Sequence, residues 1–318
     1  MAKDRKLGVI DMGTNTFHLI ISSVQEGSFQ LLYREKVAVR LGKGGISKGL
    51  IQPDAWERAI RTLEHFREVL NRHDIPEVYA TATSAIRNAK NGAELAKDIE
   101  KRTQIPVQII SGEREAELIY LGVKKALDMQ DTTSLIMDIG GGSVEFILGN
   151  QNETFWLRSF EVGAQRLLDM FHAHDPILPE DVEKLYEYLD VQLTPLLNAV
   201  KTYTPNTFIG SSGTFDTLSE IYLAETGQAK DENATEYPLP MDKYLGIHEE
   251  LITKDKTERL KIPGMIEMRV DMIVVASCLI NWLFLRIPSL NSMRVSAYAL
   301  KEGILHSVID SIQEDVKH

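Results

Sequence analysis

The feature that most constrains this chain is a pattern that occurs twice, 127 residues apart. Each copy, at residues 7–20 and 135–148, has an apolar strand, an aspartate, a glycine turn, a hydroxyl residue and a second strand of alternating polarity. Alternation with a period of two is typical of β-strands, and a repeated unit of this kind indicates two related domains. The offset aligns Asp11 with Asp138, Gly13 with Gly140, Thr16 with Ser143 and His18 with Glu145.

The turn of the second copy contains three adjacent glycines, Gly140, Gly141 and Gly142. Bare backbone at a turn allows an anion to approach successive N–H groups. The aspartate before the turn cannot hold phosphate itself, but it can hold a Mg²⁺ ion that does. A tight hairpin capped by a buried aspartate explains a single copy equally well. The second copy favours two turns that face each other across a cleft and grip a phosphate chain from both sides.

The composition sets limits on location and on domain number. A length of 318 residues suggests about two domains. The single cysteine, Cys278, excludes disulfides and Cys-ligated clusters, and it fits a reducing cytoplasmic setting. Residues 1–6 lead into a strand without a signal-peptide core. The longest apolar run, 272–285, is shorter than the roughly 20 residues that span a bilayer, so it predicts a buried helix and no membrane partner.

Charge is distributed unevenly along the chain. Residues 1–125 carry 20 Lys and Arg against 16 Asp and Glu, whereas the remainder carries 15 against 30. The overall net charge of −11 argues against non-specific nucleic-acid binding. The basic first half still allows a polyanion to lie against it, and we interpret most acidic residues of the second half as favouring solubility.

Strands and helices alternate in both halves, which predicts an α/β fold with a domain boundary near residue 125. Predicted strands lie at 31–39, 77–85 and 106–110, with a strand–turn–helix unit at 208–218. Predicted helices begin at Pro53, Ser111, Leu178 and Met268, and the third runs to about Asn198. Residues 225–240 are predicted to form a loop, and a final helix follows Gly303.

Two basic stretches are candidates for phosphate contact. The glycine-rich loop 40–45 contains Arg40 and Lys43, which could meet phosphate or simply solvent, and it lacks the Walker A spacing. Arg87 follows a strand of small residues. Small residues before an arginine suit the wall of a cleft, although close packing of the alanines explains them as well.

Three further features have both a structural and a functional interpretation. Glu113, Glu115 and Glu117 open a helix, where acids are favoured by the helix dipole, yet one of them can also face a cleft. The Gly/Ser turn at 210–214 is either an anion or nucleotide site at a helix N-terminus or a plain strand-to-helix turn. The run at 172–175, His-Ala-His-Asp, could indicate a metal, but a His-rich loop is the simpler interpretation.

The chain resembles the exopolyphosphatase / guanosine pentaphosphate phosphatase (Ppx/GppA) family, within the actin, hexokinase and Hsp70-type ATPase fold. Residues 11–18 and 138–145 resemble the family's phosphate motifs. Residues 210–214 resemble the glycine turn where actin-like ATPases hold adenosine. Residues 82–89 and 110–116 resemble family segments that actin and sugar kinases lack. The resemblance covers nearly the whole chain, although Ser212 stands where glycine is common. Matching segments lie at 11–18, 138–145, 210–214, 82–89, 110–116, 269–271 and 300–303.

This resemblance implies two actin-like (ribonuclease H-like) ATPase-fold domains flanking a cleft. The first would comprise residues 1–125, joined by the C-terminal helix 303–318, and the second residues 126–302. The implied activity is hydrolysis of the terminal phosphoanhydride of inorganic polyphosphate, dependent on Mg²⁺ or another divalent cation. Glu115 would orient and deprotonate the attacking water, and Arg87 would bind the terminal phosphate.

The remaining roles implied by the resemblance and the motifs concern the substrate and the metal. Phosphate binding is expected at Gly13, Thr14, Asn15, Thr16, Gly140, Gly141, Gly142, Ser143, Gly213 and Thr214. Metal binding is expected at Asp138, Glu145 and Asp11, and further substrate contacts at Arg40, Lys43 and Arg269.

Two alternatives remain open at the level of sequence. Guanosine pentaphosphate could replace polyphosphate as the substrate, since the family divides between them and the motifs are shared. The chain could also be a non-catalytic, nucleotide-sensing actin-like protein, against which Glu115 in its family segment argues. The expected partners are therefore small polyanions, with no nucleic acid and no membrane, and a homodimer is allowed.

Overall fold

The structure, a computed structural model, describes residues 5–25 and 28–317 and divides into two units. Unit 1 comprises Met1–Gly122 with Leu300–His318, and unit 2 comprises Val123–Ala299. The chain therefore passes from unit 1 to unit 2 close to the sequence-predicted boundary near residue 125. The C-terminal segment belongs to unit 1.

Each unit is built on a mixed β-sheet. In unit 1 the strand order is β3-β2-β1-β4-β5, with β1, β2 and β3 antiparallel and β4 and β5 parallel to β1. In unit 2 the order is β10-β11-β9-β6-β7-β8, with β6, β9 and β11 parallel. The strands are β1 Arg5–Met12, β2 Thr16–Gln25, β3 Ser28–Ala38, β4 Glu77–Ala82, β5 Val107–Ile109, β6 Ser134–Ile139, β7 Val144–Gly149, β8 Thr154–Phe160, β9 Thr207–Ser211, β10 Glu236–Tyr237 and β11 Ser292–Ser296.

The two sheets repeat one topology. Reading β8-β7-β6-β9-β11 against β3-β2-β1-β4-β5 gives the same order and the same strand directions. The second sheet differs by the addition of the short edge strand β10, which is antiparallel to β11. The repeat seen in the sequence is therefore a repeat of the whole sheet, and the predicted class of two actin-like α/β domains is confirmed.

Helices connect the strands of both sheets. A single 3-10 turn, Ile46–Lys48, precedes the first α-helix. The α-helices are α1 Pro53–Arg72, α2 Ser84–Arg87, α3 Gly92–Thr103, α4 Gly112–Ala126, α5 Ala164–Phe171, α6 Pro179–Gln192, α7 Thr194–Tyr203, α8 Gly213–Glu225, α9 Met241–Thr253, α10 Lys256–Arg259, α11 Met272–Arg286 and α12 Leu300–Lys317.

Several predicted element bounds are wrong. The loop predicted at 225–240 contains the strand β10, and the final helix begins at Leu300 and not after Gly303. The strand expected to reach residue 85 ends at Ala82, because the chain turns at Thr83 into α2. The helix expected to run to residue 198 is two helices, since Pro195 has no N–H for a continuous helix and instead occupies the first turn of α7. The helix expected to begin at Met268 begins at Met272, after a series of turns.

Apolar faces of the helices complete one core in each unit. In unit 1, α1 buries Ile60, Leu63 and Val69 against the sheet, as its 3.6-residue period predicts. In unit 2, α11 buries eleven residues and packs within the core, which confirms the predicted buried helix. Within residues 5–25 and 28–317, the helices are all too short or too polar to traverse a bilayer.

Candidate active site

The first glycine turn joins β1 to β2 in unit 1. Asp11, near the end of β1, lies directly opposite His18 of β2. The N–H of Gly13 donates to the carbonyl of Thr16 at 3.0 Å, which closes the turn. A Cβ at Gly13 would lie 3.1 Å from the same carbonyl, so the tight turn favours glycine. The three residues at the tip, Thr14, Asn15 and Thr16, are buried.

The second glycine turn joins β6 to β7 in unit 2 and has the same geometry. Asp138 lies directly opposite Glu145, and the N–H of Gly140 donates to the carbonyl of Ser143, again at 3.0 Å. A Cβ at Gly140 would lie 3.0 Å from that carbonyl. The aligned residues of the two copies therefore occupy equivalent positions in the two turns, down to a single hydrogen bond.

The carbonyls of the second turn are bound by a helix that sequence reasoning did not connect with it. The N–H groups of Gly163, Ala164 and Gln165 donate to the carbonyls of the three turn glycines, at 2.9 to 3.3 Å. Arg166 Nε donates to one of the same carbonyls at 2.8 Å. With the carbonyl sides of these peptides fixed by the start of α5, their N–H sides are oriented away from α5. These hydrogen bonds orient the backbone of the second turn so that its N–H groups can bind an anion.

Close packing explains the sequence signal that marks this helix. A Cβ at Gly163 would lie only 2.4 Å from the backbone carbon of Gly142, so glycine is required where the two backbones meet. From sequence alone, residues 161–163 are predicted to end a strand, but β8 ends at Phe160 and Gly163 lies just before α5. Its contact with a turn more than 20 residues earlier could be recognised only from the tertiary structure.

The basic loop of unit 1 packs on the first turn. The N–H of Arg40 donates to the carbonyl of Asn15 at 2.8 Å, and the N–H of Gly42 donates to the carbonyl of Thr14 at 3.0 Å. A Cβ at Gly42 would lie 2.5 Å from the Thr14 methyl group. Arg40 and Lys43 are exposed on this loop. The structure therefore places both candidate cations beside the first turn.

Glu115 and Arg87 form an ion pair in unit 1. Arg87 Nη1 lies 2.7 Å from Glu115 Oε2 and also donates to the carbonyl of Ile110 at 3.3 Å. Both side chains are largely buried, with 15% and 9% of the arginine and glutamate side chains exposed. Glu113 and Glu117 on the same helix are exposed. The structure therefore distinguishes Glu115 from its acidic neighbours.

The same edge of the sheet carries this ion pair and the first turn. Thr83 donates through its N–H and its hydroxyl to the carbonyl of Met12, at 3.3 and 3.4 Å, and its own carbonyl accepts the N–H of Arg87 at 2.9 Å. Ile110, which follows β5, donates to Ala82 at 3.1 Å. The carboxyl ends of β1, β4 and β5 are thus joined. This edge is the usual ligand-binding edge of open α/β sheets.

The pair of carboxylates in unit 2 suits a divalent cation. Residues directly opposite in antiparallel strands project from one face, so Asp138 and Glu145 are neighbours. Asp138 accepts a hydrogen bond from Ser211 at 2.7 Å, and Glu145 accepts one from Ser159 at 2.6 Å. Both carboxylates are buried. Mg²⁺ commonly uses one or two carboxylates together with substrate phosphates, so this donor set fits the ion.

Asp11, the third predicted metal ligand, belongs to unit 1, where it lies opposite His18. Across residues 5–25 and 28–317 there is no cluster of three or more His, Cys, Asp or Glu side chains arranged to hold a metal. The His-rich run at 172–175 is part of the described chain, and His174 pairs there with Asp181 at 2.7 Å. The run lies in the loop between α5 and α6.

The third turn, between β9 and α8, is packed against Arg269. A Cβ at Gly213 would lie 2.0 Å from Arg269 Nη2, so glycine at this position leaves the space that the guanidinium occupies. Burial lowers the pKa of Arg269, while the nearby carboxylates of Asp216 and Asp138 raise it. Arg269 Nε is buried and has no hydrogen-bond partner within the described chain. Thr214, the neighbouring candidate, is buried in the first turn of α8.

Two α/β units of one topology, each with an aspartate–glycine turn at the carboxyl ends of its parallel strands, define a protein of the actin-like fold class. Comparison with known proteins identifies the group within that class. The model of the Ppx/GppA phosphatase family matches residues 20–312. The chain belongs to this family of phosphatases.

Individual relatives cover nearly the whole chain. A Haemophilus influenzae protein named "Putative exopolyphosphatase" is 28% identical over 309 residues, which are 97% of this chain and 93% of that protein. The crystal structure of an exopolyphosphatase from Cytophaga hutchinsonii is 47% identical, with a TM-score of 0.93 over 96% of this chain and 98% of that one. A family member from Aquifex aeolicus, at 22% identity, has a TM-score of 0.79 over 98% of both chains and supports the fold.

Proposed function

We propose that this protein is a divalent-cation-dependent exopolyphosphatase, which removes the terminal phosphate of inorganic polyphosphate by attack of water. The observation that carries the proposal is the buried pair of Arg87 and Glu115 at the carboxyl edge of the unit 1 sheet. A base and a cation held together beside a phosphate-type turn are what hydrolysis of a phosphoanhydride needs. The relatives from Haemophilus influenzae and Cytophaga hutchinsonii, both named as exopolyphosphatases, favour this substrate.

Substrate binding would use the backbone of the glycine turns. N–H groups at 14–16 and 141–143, with the hydroxyls of Thr16 and Ser143, would donate to phosphate oxygens, while Gly13 and Gly140 close the two turns through their own N–H groups. The buried guanidinium of Arg269 supports an anionic substrate, because its Nε has no hydrogen-bond partner among the described residues and an anion would supply one. Arg40 and Lys43, exposed beside the first turn, would contact further phosphates of a long chain.

The metal would be held by Asp138 and Glu145. A bound Mg²⁺ neutralises phosphate oxygens and thereby makes the phosphorus more open to attack. The serine hydroxyls that donate to these two carboxylates keep one oxygen of each in a fixed direction. We propose Asp11, near the end of β1, as a further metal ligand.

Chemistry at the terminal phosphate would be performed by the ion pair of unit 1. Glu115 would accept a proton from the attacking water, which typically contributes 10²–10⁴-fold to the rate. Arg87 would donate hydrogen bonds to the equatorial oxygens as charge develops there. Its bonds to the Ile110 carbonyl and to Glu115 fix its direction before the substrate arrives.

Guanosine pentaphosphate hydrolysis is the second candidate function, since the family name covers both activities. A panel of substrates tests directly which substrate is preferred. Release of phosphate is measured with Mg²⁺ from long-chain polyphosphate, tripolyphosphate, guanosine pentaphosphate and ATP. We expect polyphosphate to be hydrolysed fastest. The rate should fall as salt rises, since exposed contacts such as Lys43 are screened beyond about 8–10 Å at 0.10–0.15 M.

The other outcomes of the panel separate the alternatives. Release from guanosine pentaphosphate without release from polyphosphate would reverse the order of the two substrates. Binding of these anions without release from any of them would favour a non-catalytic, nucleotide-sensing role.

A further inference from the structure

The segment that carries Arg269 has no helix or strand of its own. It connects α10 to α11 through a series of turns, in which the N–H of Arg269 donates to Ile266 at 2.9 Å and the N–H of Ile273 donates to Arg269 at 2.9 Å. The buried Nε of the Arg269 side chain has no hydrogen-bond partner among the described residues. Its direction therefore depends on how firmly the neighbouring backbone is held.

A second buried arginine holds that backbone. Arg259, at the end of α10, has a fully buried side chain. Its Nε donates to the carbonyl of Val270, the residue after Arg269, at 3.0 Å. Its Nη1 donates to the carbonyl of Lys254 at 2.5 Å and to Asp175 Oδ1 at 2.7 Å. Because Arg259 is 0% exposed, whereas Arg269 is 8% exposed, Arg259 cannot touch substrate and acts on other parts of the protein.

Asp175 anchors this arrangement from the loop between α5 and α6. Its Oδ1 binds Arg259, and its Oδ2 accepts the backbone N–H of Lys256 at 2.8 Å. Partial burial works to raise the pKa of the Asp175 carboxyl, but these hydrogen bonds hold it below its ordinary value. The carboxylate therefore ties both ends of the short helix α10 to a different part of unit 2.

A third contact fixes the other side of the segment. Lys256 Nζ lies 2.7 Å from Asp271 Oδ2. α10 itself is fixed by a capping box, in which Asp255 and Glu258 exchange side-chain and backbone hydrogen bonds. The two residues that follow Arg269 are thus both bonded to a rigid turn of helix.

We propose that Arg259, Asp175 and Lys256 form a positioning clamp that holds Arg269 against Gly213 for contact with the phosphates of the substrate. This role rests on the proposed function, in which Arg269 is a substrate contact. Arginine is suited to the buried position of the clamp because its planar fork can donate in two directions at once. A lysine at 259 has one nitrogen and could not reach both the Val270 carbonyl and the Asp175 carboxylate in this geometry.

A purely structural role for the clamp predicts a different result. In that case its loss lowers stability and affects every property of unit 2 to a similar degree. A positioning role requires that the loss acts on substrate binding through Arg269 alone. The two roles are therefore distinguished by whether the effect survives when Arg269 is itself removed.

The test is a double-mutant cycle between Asp175→Asn and Arg269→Gln. For Asp175→Asn alone we expect KM for polyphosphate to rise by roughly fivefold or more, in the range of coupling between residues of one network, with a smaller change in kcat. In the Arg269→Gln background, the same substitution should change KM by less than about twofold. Lys256→Met, at a half-exposed position that folding tolerates, should give a weaker effect of the same kind.

Asp190→Asn is the matched control. It breaks the ion pair of Asp190 with Arg286, at 2.7 Å in the same unit, and the exposed fraction of the Asp190 side chain, 39%, is close to the 33% of Asp175. We expect it to lower the melting temperature by less than Asp175→Asn does, because Arg286 is partly exposed, and to leave KM unchanged. A rise in KM with this control, or a full effect of Asp175→Asn in the Arg269→Gln background, would overturn the positioning role.

Hydrogen exchange provides a measurement that does not depend on catalysis. Amides of residues 265–273 should exchange faster in Asp175→Asn than in the wild type or in Asp190→Asn, and unchanged exchange there would overturn the clamp. If the wild type hydrolyses no phosphoanhydride, the proposed function fails. The same double-mutant cycle is then measured as the dissociation constant of tripolyphosphate by calorimetry. Equal effects of Asp175→Asn with and without Arg269 would overturn the clamp independently of the proposed function.

Discussion

Arg269 packs so closely on Gly213 that a Cβ at this glycine would lie 2.0 Å from Nη2 and 2.8 Å from Cζ of the arginine. The nearest atoms are at the far end of a flexible side chain, so Gly213→Ala should displace the guanidinium and leave the backbone in place. We expect KM for polyphosphate to rise by about tenfold, as for loss of a hydrogen bond to a charged group, with little change in melting temperature.

Gly246→Ala is the control for this substitution, since a Cβ at Gly246 meets nothing within 4 Å. It lies inside α9, so the variant should be more stable by up to about 1 kcal/mol and have an unchanged KM. Equal kinetic effects of the two substitutions would show that the contact with Arg269 has no role in binding.

Ser212 has a backbone conformation that only glycine adopts readily, with φ 73° and ψ 176°. In residues other than glycine, such a conformation destabilises the folded state by about 1–3 kcal/mol. Glycine avoids this strain but loses more conformational entropy on folding, which offsets part of the gain. We therefore expect Ser212→Gly to raise the free energy of unfolding by about 1 kcal/mol. Ser212→Ala retains the strain and should give no gain, so equal stabilities of the two variants in urea would contradict this account.

His248 predicts a loss of stability in mild acid. Burial lowers its pKa from 6.5 to about 4, and its Nδ1 lies 3.0 Å from the Ser277 hydroxyl, which itself donates to Val274. Because the unfolded chain binds this proton more readily, the free energy of unfolding should fall by about 3 kcal/mol as pH drops from above 6.5 to below 4.

The corresponding variant is His248→Asn, which can still donate to Ser277 but does not titrate. Urea unfolding at several pH values should show a flatter dependence between pH 6.5 and 4 for this variant than for the wild type. Parallel curves for the two proteins would show that another group causes the loss in acid.

Removal of a carboxylate should weaken the dependence on Mg²⁺. Asp138→Asn leaves less negative charge for the cation, so half-maximal activity should require a higher Mg²⁺ concentration, and kcat should fall. Ser211→Ala, which removes only the hydrogen bond to Asp138, should shift the titration less and in the same direction. An Mg²⁺ titration of Asp138→Asn that matches the wild type would place the metal elsewhere.

Much of the fold was predictable because its signals are local. The aspartate–glycine turns, the alternating strands and the apolar run of α11 each show in a short stretch of sequence, and the 127-residue offset relates the two turns. The break between α6 and α7 also has a local signal, Pro195, which the helix prediction overlooked.

The contacts that complete the candidate site were not predictable, because they join distant parts of the chain. Arg87 and Glu115 are both recognisable as family residues, but their ion pair depends on how β4 and β5 align. The support of the second turn by α5, and of the Arg269 segment by Arg259, depends on tertiary packing of separate elements. The sequence resemblance places Ser212 where glycine is common, but the positive φ of this residue is seen only in the structure.

Substitution of Glu115 by glutamine tests the account most directly, measured as kcat and melting temperature on the same preparation. Glu113→Gln is the matched control, because it removes an exposed acid from the same first turn of α4. The account predicts that Glu115→Gln lowers kcat by about 10²–10⁴-fold with substrate affinity retained, while Glu113→Gln stays active. A Glu115→Gln variant that is less stable but hydrolyses polyphosphate at the wild-type rate would contradict it.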